Sequence, residues 1–196
     1  MRFVDGIKDP KKISQIKNIL RDNGDYRNLL LFSLGINAAL RIQDLLSLQV
    51  KHLFEEDLTI REFFDIKEMN TGKSNRIFIT PKVRVILGEY AEKYPHIVEN
   101  AENYVFFRKK SFPLGSKPIG RKMAWLFLSG ICKDVGLKGS YGTHTLRKTF
   151  GWMARTNNVG IELIQKRLNH GSLTTTMAYL GITNDEMKAA CDRLDL

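Results

Sequence analysis

Along the chain the spacing of apolar positions changes several times, and each change marks an element. The pair Asp9-Pro10, a capping residue followed by a first-turn proline, opens a helix that runs to about Arg21 and ends near Asn23-Gly24. Asp25 then caps a second helix in which Leu29, Leu30, Leu31, Phe32 and Leu34 leave no polar face. A helix apolar on every side has to be surrounded by protein, which places this one at the centre of the fold. From Leu58 to Ile79 the spacing shortens to that of strands, in the runs Leu58-Thr59-Ile60, Phe63-Phe64-Asp65-Ile66 and Arg76-Ile77-Phe78-Ile79-Thr80. Met69-Asn70-Thr71-Gly72 separates the last two as a hairpin turn, so a small antiparallel sheet is expected. Thr80-Pro81 repeats the cap-and-proline signal and opens a helix to about Tyr94. The remainder to Leu196 is predicted to be mainly helical, punctuated at Gly115, Gly136, Gly139, Gly142, Asn157, Asn158, Gly160 and Gly171. The predicted class is mostly α with a small antiparallel β-sheet.

Composition narrows what such a fold is for. With 196 residues, 43% of them hydrophobic, and no internal repeat or Pro/Gly/Ser-rich linker, the expectation is a single domain over residues 1–196. A formal net charge of +10 points to a polyanionic partner, with nucleic acid ahead of a membrane surface. No apolar run approaches the roughly 20 residues of a spanning helix, and Met1-Arg2-Phe3-Val4-Asp5-Gly6 is not the start of a signal peptide, so a soluble cytoplasmic protein is expected. Cys132 and Cys191 have neither a CxxC spacing nor a nearby histidine, which suggests no disulfide framework and no zinc site.

Three short segments carry candidate chemistry. Arg41 follows the buried helix between apolar residues at 40, 42, 45, 46 and 48 that would pin the backbone on both sides. Asp44, three residues on, can hold it by a helical-turn contact and leave the other guanidinium donors for an anion; the alternative is a surface Arg-Asp pair. In Thr143-His144-Thr145-Leu146-Arg147 a histidine and an arginine share one helix face with Leu146 turned inward, an arrangement suited to phosphate at a helix start. The alternative there is a capping histidine with a solvated arginine. The third segment, Leu168-Asn169-His170, is followed nine residues later by Tyr179, and the short helix between them can return both rings to one pocket. A tyrosine on such a helix can equally be core.

Taken in order, Arg41, His144-x-x-Arg147, His170 and Tyr179 resemble the tyrosine recombinase (phage integrase) family and, more distantly, type IB topoisomerases. Ala39-Leu40-Arg41, with an acidic residue three positions on, resembles the family's Gly-Leu-Arg box. Leu168-Asn169-His170 resembles its Leu-Gly-His, and the likeness covers about residues 10 to 185. It implies a tyrosine recombinase catalytic-domain fold with Tyr179 as the nucleophile. It also implies a lysine in the hairpin turn, which Lys73 of Thr71-Gly72-Lys73 supplies, with Lys67 and Lys82 as competitors. Ala39 and Asn169 stand where relatives have glycine. Only about 25 residues precede the buried helix, so no separate N-terminal DNA-gripping domain is expected.

The chemistry implied is site-specific recombination of double-stranded DNA through a 3′-phosphotyrosyl intermediate, without a cofactor or metal, by a homo-oligomer (tetramer) on DNA. Charge on the phosphoryl oxygens needs fixed donors, the roles given to Arg41, Arg147 and His170. A phenol of reference pKa about 10 needs a base, which falls to His144, and the leaving 5′ oxygen needs an acid, which falls to Lys73. Two other readings stay open. One is a non-catalytic DNA-binding protein with a helix-turn-helix over about 145 to 170; the other is a topoisomerase-like enzyme that nicks and reseals. The tail Thr183-Asn184-Asp185-Glu186 has capping-box spacing ahead of a helix with Met187, Ala190, Cys191 and Leu194 on one stripe. That helix packs on its own domain or docks on a neighbouring subunit.

Overall fold

A computed structural model describes residues 4–194, apart from the side chains of Met187 and Ala190, which lie outside the described residues. In chain order the elements are α1 (Pro10–Asp22), α2 (Tyr26–Ala38), α3 (Ile42–Leu46), α4 (Val50–Leu53), β1 (Phe63–Lys67), β2 (Ser74–Phe78), α5 (Pro81–Lys93), α6 (Pro95–Val98), α7 (Arg121–Asp134), α8 (Thr145–Thr156), α9 (Ile161–Leu168), α10 (Leu173–Leu180) and α11 (Asn184–Leu194). The predicted class is the one observed. Helix α1 begins as its sequence dictates, with the Asp9 carboxylate accepting the Lys11 N–H at 2.8 Å, and stops at Asn23 and Gly24, the latter at φ +65°.

Helix α2 is the central element, buried from Arg27 through Gly35 and again at Ala38. It packs on α1, α5 and α8. Gly35 lets α8 approach, because a Cβ there would lie 2.5 Å from Leu146 Cδ1. Asp25 does not cap this helix through its side chain; its carboxylate instead accepts the Asn28 amide at 2.6 Å. At the other end the chain leaves through Ala39 in the left-handed region, φ +55°.

The sheet is a two-stranded hairpin in the register Phe63↔Phe78, Phe64↔Ile77, Asp65↔Arg76, Ile66↔Asn75, Lys67↔Ser74. Phe64, Ile66, Asn75 and Ile77 face inward and the alternate residues face water, the period-two pattern of a sheet with one buried side. The turn is closed by Glu68 N–H on the Lys73 carbonyl at 3.0 Å and Gly72 N–H on the Glu68 carbonyl at 2.8 Å, with Gly72 at φ +65°. The expected third run, Leu58-Thr59-Ile60, forms only an isolated bridge, Phe54↔Ile60, because Leu58 turns the chain at φ +64°.

The mainly helical remainder has one irregular stretch. Residues 99–120 are irregular, not helical. Val105, Phe106 and Phe107 are buried in the core as a turn between two isolated bridges, with Val105 N–H on the Leu48 carbonyl and Ile119 N–H on the Phe106 carbonyl, so distant backbone partners replace a helical ladder.

Beside the main core lies a second, smaller one formed by Ala39, Ala154, Ile164 and Leu168, against which Phe150, Tyr179 and Leu180 pack. It fixes α8, α9 and α10 to one another. The tail starts with the capping box read from its sequence: Glu186 N–H donates to Thr183 Oγ1 at 3.3 Å, and Thr183 N–H donates to the Glu186 carboxylate at 3.4 Å. Arg155 on α8 then ties α11 down, donating to Glu186 at 2.5 Å and to the Leu180 carbonyl at 3.2 Å. Among the described residues no helix is long and apolar enough to cross a membrane.

Candidate active site

Arg147 is the most enclosed of the candidate residues. It lies one turn into α8, 4% exposed, and its guanidinium donates to the carbonyl of Ala39 at 2.6 Å and to the carbonyl of Leu168. Those two carbonyls end α2 and α9. Both helices stop at a left-handed residue, Ala39 and Asn169 (φ +50°), the conformation that glycine adopts most easily. One guanidinium thus joins two helix C-termini, where a cation is favoured.

Arg41 sits at the junction before α3, held by the buried neighbours Leu40 and Ile42 as its sequence setting predicts. Its carboxylate partner is not Asp44. Nη1 of Arg41 donates to Glu68, a fully buried carboxylate at the end of β1. Asp44 is itself buried and accepts the Met69 N–H at 2.9 Å, so it braces the hairpin turn. Burial raises its pKa. For Glu68, burial alone would do the same, but the amides of Asn75 and Asn169 and the charges of Arg41 and Arg147 outweigh it and hold the carboxyl below its ordinary value.

His170 follows Asn169, and the turn at Gly171 and Ser172 sends the chain into α10, which Ser172 caps by accepting the Thr175 N–H at 3.1 Å. Tyr179, near the end of α10, comes back against His170 with ring centroids 5.2 Å apart. His170 Nδ1 lies 3.1 Å from Thr176 Oγ1. Burial and the nearby charges of Arg147 and Arg41 push its pKa down to about 4, so the ring is neutral at pH 7. The Tyr179 hydroxyl is buried with no hydrogen bond of normal geometry. Its pKa is pushed up to about 12 by burial, which Arg147 and Arg41 offset only in part.

His144 is the residue before α8 and is exposed. Desolvation and then the charges of Arg121, Arg147, Lys148 and Arg41 lower its pKa, which keeps the imidazole available as a base. Arg121, near His144, is exposed, as are Arg108, Lys109, Lys110, Lys117 and Lys122. Lys73 lies apart from the other five. It is exposed at the end of the hairpin turn, its N–H on Thr71 Oγ1 at 3.3 Å, and among the described residues no carboxylate pairs with its ammonium. The structure therefore brings His144, His170 and Tyr179 within the field of Arg41 and Arg147 and leaves Lys73 on the hairpin turn.

Sequence reasoning missed Glu68, although a signal was present. Phe64 and Ile66 point inward, and two residues further on the same alternation puts a carboxylate in the buried phase of the strand. It also missed Lys148, whose ammonium lies 5.7 Å from the centre of the Tyr179 ring. The helix pair α8 and α9 does exist, joined through Gly160. Its facing side is filled by Ala154, Ile164 and Leu168 and covered by Tyr179 and Leu180.

The fold is that of an integrase-type catalytic domain. The chain belongs to the phage integrase family, whose sequence model matches residues 8–186. A Bacillus subtilis (strain 168) protein named "Probable integrase/recombinase YoeC" is 35% identical over 190 residues, spanning 97% of this chain and 96% of that one. The tyrosine recombinase XerA of Pyrococcus horikoshii is 26% identical over 189 residues, and this chain covers 62% of its length. Among solved structures, XerA recombinase superposes with a TM-score of 0.74 at 15% identity, covering 98% of this chain and 66% of that one. The catalytic domain of bacteriophage HP1 integrase gives 0.60 at 14% identity, covering 97% and 95%.

Proposed function

We propose that this protein cleaves and rejoins double-stranded DNA at specific sites, with Tyr179 forming a transient 3′-phosphotyrosyl bond. The observation that carries the reading is the Tyr179 hydroxyl, buried, without a hydrogen bond of normal geometry, and set between His170 and the guanidinium of Arg147. A hydroxyl buried without a hydrogen bond of normal geometry is costly in a purely structural role. A scissile phosphate in the pocket gives it a reaction partner and gives the two arginines their anion.

In this reading the phenol oxygen attacks phosphorus, and His144 takes its proton. Arg41 and Arg147 meet the charge that grows on the non-bridging oxygens, and neutral His170 adds a hydrogen bond from its free ring nitrogen. Lys73 protonates the departing 5′ oxygen. The ester keeps the strand's bond energy, so a DNA 5′ hydroxyl can attack in reverse and reseal the strand. The exposed cations of residues 108–122 supply a path for the DNA backbone. One structural neighbour, XerH site-specific recombinase, is bound to a palindromic difH substrate in a post-cleavage complex, which supports DNA as the partner. We place the protein with the nucleoid, as a tetramer on DNA. Exposed Leu194 and Cys191 on α11 are consistent with a docking contact between subunits.

The test is covalent trapping on a nicked duplex. Wild-type protein forms an adduct that survives denaturation, and Tyr179→Phe forms none. Arg41→Ala and Arg147→Ala each slow adduct formation about a hundredfold or more. An equal yield from the Phe variant would remove Tyr179 from the role.

A further inference from the structure

A buried carboxylate next to two guanidiniums is out of place in a pocket built for phosphate. Glu68 opposes the incoming anion and weakens the field of Arg41, so its presence needs a compensating use. Its contacts indicate that use. One carboxylate oxygen accepts from Arg41 Nη1 and from Thr71 Oγ1 at 3.3 Å; the other accepts from Asn75 Nδ2 at 2.9 Å. Its backbone closes the turn on Lys73, and the next residue, Met69, donates its N–H to Asp44. The same few atoms thus connect the hairpin turn to the Arg41-Asp44 segment. Arg41 is about a quarter exposed, and among the described residues Glu68 is its one carboxylate partner, which leaves the other face of the fork open to the pocket.

We propose that Glu68 is a positioning residue, whose carboxylate fixes the aim of the Arg41 guanidinium and makes that aim depend on the seating of the hairpin that carries Lys73. Resting on the phosphoryl-transfer reading of the same pocket, this adds a link between the two halves of the site. An unheld arginine side chain samples many rotamers and has to be ordered at the moment of reaction. One braced at Nη1 presents its remaining donors already oriented. The brace also reports whether the turn is in place, because Thr71, Asn75 and Lys73 all hang on Glu68. A hairpin displaced from the pocket would release Arg41 as well as withdraw Lys73, so neither could act without the other.

The test compares Glu68→Gln, Arg41→Ala and the double variant on two nicked duplexes, one natural and one with a neutral methylphosphonate at the scissile position. Glu68→Gln keeps the size of the side chain, loses its charge, and turns an amide donor toward Arg41 or Asn75. On the natural phosphate it should slow adduct formation about ten- to a hundredfold, the scale of losing a partner that orients a metal-ligating side chain, carried over to an oriented guanidinium. On the methylphosphonate, where there is no anionic charge for Arg41 to meet, most of that loss should vanish, as it should for Arg41→Ala. The double variant should be no slower than Arg41→Ala alone. A loss of equal size on both substrates, or one that multiplies with that of Arg41→Ala, would overturn the proposal, as would a wild-type rate.

Guanidinium NMR of Arg41 supplies a readout that does not depend on cleavage. Restricted rotation in the wild type should be freed in Glu68→Gln and kept in Glu68→Asp, which retains the charge. An unchanged Arg41 signal in the Gln variant would also overturn the proposal. If the wild type formed no adduct, the functional reading would fall, while the NMR comparison would still decide whether Glu68 holds Arg41.

Discussion

His170 and Tyr179 meet edge to face, with their rings inclined at 74°. The contact places the phenol by its ring, through His170 on one side and the small core of Ala154, Ile164 and Leu168 on the other, while the hydroxyl is left without a hydrogen bond of normal geometry. The oxygen is positioned but not occupied. Such an arrangement separates the requirements of the fold from those of the reaction at a single side chain.

Tyr179→Phe should therefore leave stability unchanged or raise it by up to about 1 kcal/mol, since it removes a buried hydroxyl that has no hydrogen bond of normal geometry and keeps the ring. Urea unfolding of the two proteins measures this. A loss of more than about 1 kcal/mol would show that the hydroxyl has a partner.

Proton donation by Lys73 predicts a substrate-specific rescue. Lys73→Ala should cleave ordinary DNA poorly and recover when the bridging 5′ oxygen is replaced by sulfur, because a thiolate leaves without an acid. Arg41→Ala should not recover, since its target is the non-bridging oxygens. If Lys67→Ala were rescued and Lys73→Ala were not, the acid would have to be reassigned within the hairpin.

The depressed pKa of His170 makes stability depend on acidity in a defined window. With the folded value about 4, below the ordinary 6.5, the unfolded chain takes up the proton first. The contribution is complete above pH 6.5, declines as pH falls from 6.5 toward 4, and is lost below that. His170→Gln should flatten this part of the stability curve, measured by urea melts at several pH values. Parallel curves for the two proteins would mean that His170 does not carry the effect.

Ala39 carries opposing terms that nearly cancel. Its left-handed backbone costs about 1–2 kcal/mol relative to glycine. Its buried methyl contributes about 0.8 kcal/mol, and glycine would add freedom to the unfolded chain worth about 0.4–1 kcal/mol. Ala39→Gly should shift stability by less than about 1 kcal/mol in thermal melts, whereas Ala39→Val, branched at Cβ where the left-handed backbone is most crowded, should cost distinctly more. Equal effects would argue that backbone strain at this site is negligible.

Local signals in the chain were sufficient for α1, the buried α2, the hairpin and its turn, because each rests on residues a few positions apart. Asp9-Pro10 and Asn23-Gly24 bracket α1 almost to the residue. Helix spacing pairs 144 with 147 and a short return helix pairs 170 with 179, which is also local information, whereas joining these segments to Arg41 rested on the family resemblance. Pairings across the chain were not legible. Asp44 was the natural partner for Arg41 by proximity, yet its carboxylate accepts Met69 N–H, and the ion pair goes to Glu68, 27 residues away. Likewise, no short-range pattern shows that Val105 bonds to Leu48, so an apolar stretch buried in an irregular segment reads as helix.

The span of Arg147 across two helix ends has a practical consequence for anyone who wants an inert version of this protein as a reagent. A lysine at 147 offers one ammonium where a planar fork reaches the Ala39 and Leu168 carbonyls together, and an alanine leaves both unmet. Either change would loosen the junction of α2, α8 and α9 and blunt the grip on the ligand along with the chemistry. A catalytically silent bait that still presents the native surface should be made at Tyr179, where one oxygen can be removed from a ring the rest of the molecule already holds.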